Sequence, residues 1–236
     1  MLEDQYKFRK NLYYKLLDNL FFNYHLLSHN LNNFIITDKI LISNKNILEI
    51  GCGNGGGLIN IGKNFPLSKF IGIDFSAKNI KKCKKNNTYT NINFNVDNAE
   101  HLFTCNDNSY DIVINVESSH CYENIQKFYN NVYRVLKKDG IFCYTDFAQT
   151  NSWKHLEELI INNGFELIDK NDITENVLLS SKKISEYYIS KFSPYSKLPF
   201  ISTIFHSFSN SPQSSSYISL DTRDTTYMMY RFIARK

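Results

Sequence analysis

No two cysteines of this sequence stand in a C-x-x-C pattern. The five present (Cys52, Cys83, Cys105, Cys121 and Cys143) are scattered and odd in number. That excludes a disulfide scaffold and a cysteine-ligated zinc, and it points to a reducing, cytoplasmic setting. A strong excess of one charge is also missing. Lys plus Arg number 27 against 23 Asp plus Glu, and a net charge of +4 is too mild for a nucleic-acid binder. No apolar run reaches the roughly 18 residues of a membrane span. The opening MLEDQYKFRK lacks the apolar centre of a secretory signal. No internal repeat is found. Alanine is scarce beside Asn, Lys, Ile and Tyr, a bias that reads as an A/T-rich coding background. Apolar residues interrupt the Asn-rich stretches, so these are not prion-like. With 236 residues, 42% hydrophobic and 21% charged, the chain has the material for one domain with a full core.

From about Lys45 to Phe147 short β-branched runs alternate with longer helical patterns. The strand candidates are Asn46–Ile50, Lys69–Asp74, Ile92–Val96, Tyr110–Val116 and Ile141–Asp146. Helices are expected over Gly57–Asn64, Ala77–Asn86 and Ile125–Leu136, with a short turn near Asn98–Phe103. This βαβα rhythm predicts an α/β fold, a parallel sheet covered on both faces. Asp111-Ile112-Val113-Ile114 is apolar without alternation, as strands buried on both faces are. Asp139-Gly140 reads as the stop between a helix and the next strand. Upstream, Asp4–Asn30 has the spacing of an amphipathic helix. Downstream follow a helix over Ser152–Asn162, a strand over Gly164–Asp169 and a helix over Ile173–Ile189. Ser190–Ser216, rich in Ser, Pro and aromatics, is the candidate lid, and Thr225–Ala234 the last strand. One domain therefore divides into an N-terminal helical cap (1–44), a ligand-binding core (45–170), and a lid with the final strand (171–236).

The chemistry concentrates in Ile47-Leu48-Glu49-Ile50-Gly51-Cys52-Gly53-Asn54-Gly55-Gly56-Gly57, a strand running into a glycine turn and a helix. Gly51, Gly53 and Gly55 let the backbone turn sharply and approach a ligand closely. The helix start offers unpaired N–H groups. Asp74 ends the next strand, where a carboxylate accepts both hydroxyls of a ribose. An adenosine-containing cofactor on the first half of the sheet follows. Gly51, Gly53 and Gly56 also satisfy the dinucleotide pattern GxGxxG, so a nicotinamide-dependent oxidoreductase stands as a rival, as does a glycine turn without ligand. Glu49 separates them. A carboxylate two residues before the turn is awkward beside a pyrophosphate but suits a zwitterionic amino acid and a sulfonium.

These residues resemble the class I S-adenosylmethionine-dependent methyltransferases over about Ile47–Phe147. LEIGCGNG resembles their first motif, and IGID, ending at Asp74, their ribose-binding acid. Asn95-Val96-Asp97-Asn98-Ala99-Glu100 resembles the loop in which an Asp bonds the adenine amino group. Tyr110–Asn115 resembles the fourth strand, and Val135-Leu136-Lys137-Lys138-Asp139-Gly140 the turn before the fifth. The resemblance implies a Rossmann-like, seven-stranded, doubly wound sheet with its last strand antiparallel, and S-adenosyl-L-methionine as cofactor. It implies cofactor contacts from Glu49, Gly51, Gly53, Gly55, Asp74, Asp97, Asn98 and Ala99. A narrower resemblance, NVESSHCY (115–122) followed by YTDF (144–147), is to O-methyltransferases of lipid and polyketide pathways, the phthiotriolone and phenolphthiotriolone dimycocerosate type. It implies a hydroxyl on a small, apolar acceptor.

The residues add roles of their own. His120 follows the fourth strand at its carboxyl end, where open α/β sheets bind ligands, and its near-neutral pKa suits a general base. A loop-capping histidine is the alternative. Asp146, at the end of the fifth strand, either orients His120 or a substrate hydroxyl, or is a surface carboxylate. Asn115 either holds the amino-acid part of the cofactor or packs its loop. Phe75 either lies on the adenine or fills the core. Lys78, Lys81, Lys82, Lys84 and Lys85 read as a solvated helix face. Trp153, His155 and His206 are isolated and read as packing or solvated groups. No aspartate cluster for a metal-dependent mechanism can be assembled. A fold-keeping binding module is disfavoured by the intact acids, and a base-amino methylase by Asn115-Val116-Glu117-Ser118 in place of Asn/Asp-Pro-Pro-aromatic. Nitrogen, carbon and protein methylation stay open, as does oligomeric state.

Overall fold

The computed structural model describes residues 42–182 and 214–236. The expected helix Asp4–Asn30, most of the candidate lid Ser190–Ser216, and His206 lie outside them. Seven strands form one sheet in the order β3-β2-β1-β4-β5-β7-β6. They are β1 (Asn46–Ile50), β2 (Lys69–Asp74), β3 (Ile92–Val96), β4 (Tyr110–Val116), β5 (Leu136–Gln149), β6 (Phe165–Asp172) and β7 (Thr225–Ala234). The helices are α1 (Gly56–Gly62), α2 (Ala77–Asn86), α3 (Ile125–Val135), α4 (Trp153–Asn162) and α5 (Ser215–Asp221). Residues 174–182 are also helical. β1 pairs in parallel with β2 and β4, and β7 runs antiparallel between β5 and β6. The doubly wound sheet with an antiparallel last strand is therefore as the sequence predicts. The strand order reverses between β1 and β4, which opens a crevice at their carboxyl ends.

Side chains that alternate along a strand enter opposite layers. Leu48 and Ile50 of β1 join Val113, Phe128, Tyr129, Phe142 and Tyr144 on one face, while Ile47 joins Leu58, Phe70, Phe94 and Cys143 on the other. α3 covers the first face through Phe128, Tyr129, Val132 and Val135, spaced at helical period. Asn124 starts that helix by accepting the Lys127 N–H at 2.9 Å. Ser76 does the same for α2. Across the β5–β7 seam Phe142 pairs with Phe232 and Tyr144 with Tyr230, and the four rings stack at centroid distances of 5.5–6.3 Å. Trp153 packs on Tyr230, whereas His155 is solvated. All five cysteines are free.

Three local expectations are corrected. β5 begins at Leu136, so Asp139-Gly140 falls inside the strand rather than before it. Tyr110 pairs with Leu136 but Ile112 with Ile141. The extra residues loop out, with Asp139 at φ 58°. β6 extends to Asp172 instead of ending at Asp169. Ser215–Asp221, within and beyond the candidate lid, is a short helix capped by Ser214.

Candidate active site

The crevice is built first by the turn after β1. Gly51, Gly53 and Gly55 all have positive φ (72°, 54° and 75°), a region open to glycine at little cost. A Cβ at Gly51 would collide with the Ser118 side chain, and one at Gly55 would lie 2.7 Å from Phe94 Cζ. Nothing lies within 4 Å of that position at Gly53, so the turn is open there. Asp74 ties the turn to the end of β2. Its Oδ2 accepts the Gly53 N–H at 2.9 Å, and its Oδ1 accepts the Ser76 N–H at 2.8 Å and Asn79 Nδ2 at 3.2 Å. The Lys-rich face of α2 is largely solvated, as read from the sequence.

Two oxygens behind the turn lack partners. The Leu58 N–H donates to the Glu49 carboxylate, yet Glu49 Oε2 is closed to solvent and makes no hydrogen bond. Burial, and then the like charge of Asp74, push the Glu49 pKa up to about 8. Asn115 is wholly buried. It donates through Nδ2 to Ile50 O at 3.0 Å, Ser118 Oγ at 2.7 Å and Tyr122 Oη at 3.1 Å. Its Oδ1 has no partner. The Ile50 carbonyl accepts only, which fixes which end of the amide is nitrogen. Ile50 and Asn115 are register partners, so Asn115 stands on the Leu48–Ile50 face of the sheet, whereas Glu49 turns to the opposite face, towards α1.

The loop after β3 folds onto its own acid. Asp97 is buried, and its carboxylate is filled by its own loop. Oδ1 accepts the N–H groups of Asn98 (2.7 Å) and Phe103 (3.2 Å), and Oδ2 accepts Thr104 N–H (2.7 Å) and Oγ1 (2.6 Å). Four donors fill the sites a carboxylate has. Asn98 Oδ1 accepts the Glu100 N–H at 2.7 Å, and Ala99 is buried. Phe75 is 78% exposed, which removes the core-aromatic alternative. Phe103 is 81% exposed and stacks on His101 at 4.9 Å; nothing in the sequence pattern had marked it.

On the other side of the crevice, His120 sits on a single 3-10 turn, Ser119–Cys121, that follows β4. Its Nδ1 is 2.7 Å from Asp146 Oδ1. Asp146 is 1% exposed, so the surface-carboxylate alternative is removed. The same carboxylate accepts Phe147 N–H at 2.9 Å, Ser119 Oγ at 2.6 Å and His120 N–H at 3.2 Å. Ser119 Oγ also bonds the Tyr144 hydroxyl at 2.8 Å. An ionised Asp146 only accepts, so the neutral imidazole carries its proton on Nδ1 and leaves Nε2 unprotonated. Among the described residues Nε2 has no hydrogen-bond partner. The Asp146 hydrogen bond outweighs partial burial and raises the His120 pKa. The His120 ring lies 4.4 Å from that of Phe147.

Asn115, Ser118 and Tyr122 join the two halves. Ser118 Oγ and Tyr122 Oη bond each other at 2.9 Å, both bond Asn115, and both lie over Gly51. Sequence reading passed over Ser118, Ser119, Tyr122 and Tyr144. They stand in the quoted NVESSHCY and YTDF stretches, but their partners are distant in sequence. A separate cavity of about 520 Å³, lined by Ile47, Ile112 and Ile141, reaches Lys45, Asp111 and Lys137 at the amino ends of the strands, away from this crevice.

A methyltransferase domain model matches residues 41–192, through every feature just described. A phthiotriol/phenolphthiotriol dimycocerosates methyltransferase of Mycobacterium leprae is 28% identical over 201 residues, 82% of this chain and 71% of that one. A fatty-acid O-methyltransferase of Mycolicibacterium smegmatis is 27% identical over 195 residues, 81% of this chain and 69% of that one. The corresponding Mycobacterium tuberculosis protein matches at 35% over 113 residues, 42% of its own length. Among solved structures, phosphoethanolamine N-methyltransferase 2 of Haemonchus contortus, in complex with phosphomonomethylethanolamine and S-adenosylhomocysteine, has the same fold. Its TM-score is 0.71 at 16% identity, over 87% of this chain and 51% of that one. With the sheet order, the glycine turn and the family match in agreement, the chain belongs to the methyltransferase domain family, the class I S-adenosylmethionine-dependent enzymes.

Proposed function

We propose that this protein transfers a methyl group from S-adenosyl-L-methionine to a hydroxyl of a small, apolar, lipid- or polyketide-like molecule, with His120 as the general base. The residues behind the glycine turn fit the cofactor. Glu49 Oε2 and Asn115 Oδ1 are buried acceptors without donors. An amino-acid ammonium beside the turn would supply a donor to Glu49 and a charge that favours its ionised form. A pyrophosphate supplies neither, and that argues against the nicotinamide-dependent rival. Asp74, beside the open face at Gly53, would take the ribose hydroxyls, and exposed Phe75 would cover the adenine. Gly51, Gly55 and Cys52 shape the turn. With its carboxylate filled, Asp97 would act by holding the loop that carries Asn98 and Ala99.

Bound S-adenosylmethionine supplies a methyl carbon made electrophilic by its sulfonium. The protein's task is then alignment, exclusion of water and removal of one proton. His120 Nε2 would take the acceptor's hydroxyl proton as that oxygen receives the methyl group. Asp146 holds Nδ1–H and stabilises the imidazolium that forms. The observation that carries this reading is the 2.7 Å contact between His120 Nδ1 and a buried Asp146, at the same strand edge as the glycine turn. The acceptor class is supported by the names of the mycobacterial relatives.

The test follows labelled methyl from the donor into a panel of long-chain alcohols, phenols, fatty acids and amines. Methyl ethers or esters are expected. His120→Ala is expected to lower turnover by about 100-fold or more while S-adenosylhomocysteine still binds. Methylated amines as sole products would overturn the hydroxyl, and undiminished turnover in His120→Ala would overturn the base.

A further inference from the structure

Tyr144 carries a hydroxyl into the aromatic layer at the β5–β7 seam. The residue is buried, and its ring stacks on Phe142 and Tyr230 with Trp153 edge-on. A phenylalanine would fill the same space and leave no polar group to satisfy, so the hydroxyl calls for a reason. Tyr144 and Asp146 stand two residues apart on β5 and face the same side of the sheet. Ser119 Oγ joins them, 2.8 Å from Tyr144 Oη and 2.6 Å from Asp146 Oδ2. Tyr129 of α3, wholly buried, brings a third hydroxyl to within 3.4 Å of that of Tyr144. Counting protons gives these bonds a direction. An ionised Asp146 has none to give, so Ser119 donates to it. A hydroxyl has a single proton, so Tyr144 donates to Ser119 and Tyr129 to Tyr144. Burial pushes both phenol pKa values up, which keeps both groups donors. Three hydroxyls therefore point one way, onto Oδ2, while His120 Nδ1 lies on Oδ1.

We propose that Ser119 and Tyr144 are positioning residues for the base: the chain Tyr129–Tyr144–Ser119 anchors Asp146 Oδ2, holds Oδ1 against His120 Nδ1, and so keeps Nε2 free of a proton. This rests on the reading of His120 as base. Without Ser119, Oδ2 keeps only the 3.2 Å bond from the His120 N–H, and the carboxylate is free to turn away from the imidazole. The Ser119 bond is the strong one of the two, short and charge-assisted. Tyr144 acts one bond further out. It holds the Ser119 oxygen in place, and the packed aromatic layer holds Tyr144.

The experiment reads the His120 tautomer directly. The full chain is labelled with nitrogen-15 at its six histidines, and two-bond proton–nitrogen spectra are taken above the His120 midpoint, where the imidazole is neutral. The His120 signals are assigned by their loss in His120→Gln, and the solvated His155 gives the mixture of an unconstrained ring. In the wild type His120 is expected as the Nδ1–H form. Ser119→Ala is expected to lower its ratio of Nδ1–H to Nε2–H by about tenfold, the worth of one charge-assisted hydrogen bond. Tyr144→Phe keeps the ring in its layer and is expected to move the ratio the same way by less. Ser119→Thr, which keeps the hydroxyl, is expected to restore it. Phe232→Leu loosens the same aromatic layer without removing a hydroxyl. It is expected to lower the melting midpoint and leave the ratio alone. A ratio unmoved in Ser119→Ala and Tyr144→Phe, or moved as far by Phe232→Leu, overturns the proposal, as does a wild-type His120 in the Nε2–H form. Should Ser119→Ala not fold, Tyr144→Phe decides. The tautomer is read without acceptor or cofactor, so its failure is distinct from failure of the base assignment, which His120→Ala turnover decides.

Discussion

Buried titratable groups make the sharpest statements at the scale of single residues. Asp146 was legible as a residue at the right strand end, but not as buried. Its four hydrogen bonds come from Ser119, His120 and Phe147, and only folding assembles them. Asp146→Asn is expected to lower turnover by about 100-fold or more, with S-adenosylhomocysteine affinity kept, because the amide no longer fixes the Nδ1–H tautomer. The paired His120 titrates above its ordinary value. The contribution of the pair to stability is therefore full below about pH 6.5, and it is lost as pH rises through the higher folded value. His120→Gln should accordingly lower the melting midpoint more at pH 6 than at pH 9. Glu49 has the opposite consequence for a carboxylate. With its folded pKa near 8, the empty protein holds a proton that the unfolded chain has released from about pH 4.5 upward. Stability falls across that window, so Glu49→Gln should melt higher than the wild type at pH 8. An ammonium partner ionises Glu49. Cofactor binding at pH 7 should then release protons, read as calorimetric heats that depend on the ionisation enthalpy of the buffer. Glu49 and Asp74 were readable as candidates because their positions follow from distance along the chain to a glycine turn. The donors that Asp97 takes from its own loop were not legible, because spacing carries no record of which groups a loop folds onto its acid.

Elements were legible in proportion to how local their signals are. β1, β2, β3, β4 and β7 have the expected bounds, since each is an apolar or β-branched run ended by a turn residue. β5 was read short because Lys137-Lys138-Asp139-Gly140 carries every sign of a loop. Its membership in the sheet depends on the bulge opposite Tyr110 and Ile112. The direction of β7 came from family resemblance and not from its residues, since TTYMMYRFIA pairs equally well either way as text. Packing fixes that direction in the structure, through the Phe142, Tyr144, Tyr230 and Phe232 layer. Cross-strand aromatic pairs add about 0.2–1 kcal/mol each beyond burial. Phe142 is fully buried at the centre of this layer, with Phe128 and Phe165 also against it. Phe142→Ala is expected to cost about 3–5 kcal/mol, read as a lower urea midpoint with an unchanged slope. A loss below about 1 kcal/mol would mean that the layer collapses freely around the gap.

The reversal of strand order at the level of the whole molecule turns separate motifs into one site. β1 and β4 are neighbours in the sheet although β2 and β3 lie between them in the chain. The glycine turn after β1 therefore meets the Ser118–Tyr122 loop after β4, and both face the edge where Asp74 ends β2. Ligand binding there must couple to the stability of the entire fold, because every wall of the crevice is the end of a central strand. S-adenosylhomocysteine at 100 times its dissociation constant stabilises a folded site by about 2.7 kcal/mol. For a chain of this length that is a rise of about 5–10 °C in melting midpoint. NAD at the same concentration should give none, because its pyrophosphate brings neither a donor nor a positive charge to Glu49. Asp74→Ala melts lower from the start, having lost its bonds to Gly53, Ser76 and Asn79, so each variant is compared with its own ligand-free midpoint. The ligand-induced rise should vanish in Asp74→Ala and persist in His120→Ala, whose side chain makes no contact with the glycine turn among the described bonds. A full rise in Asp74→Ala would move the cofactor away from the glycine turn, and with it the alignment of methyl donor, acceptor and base.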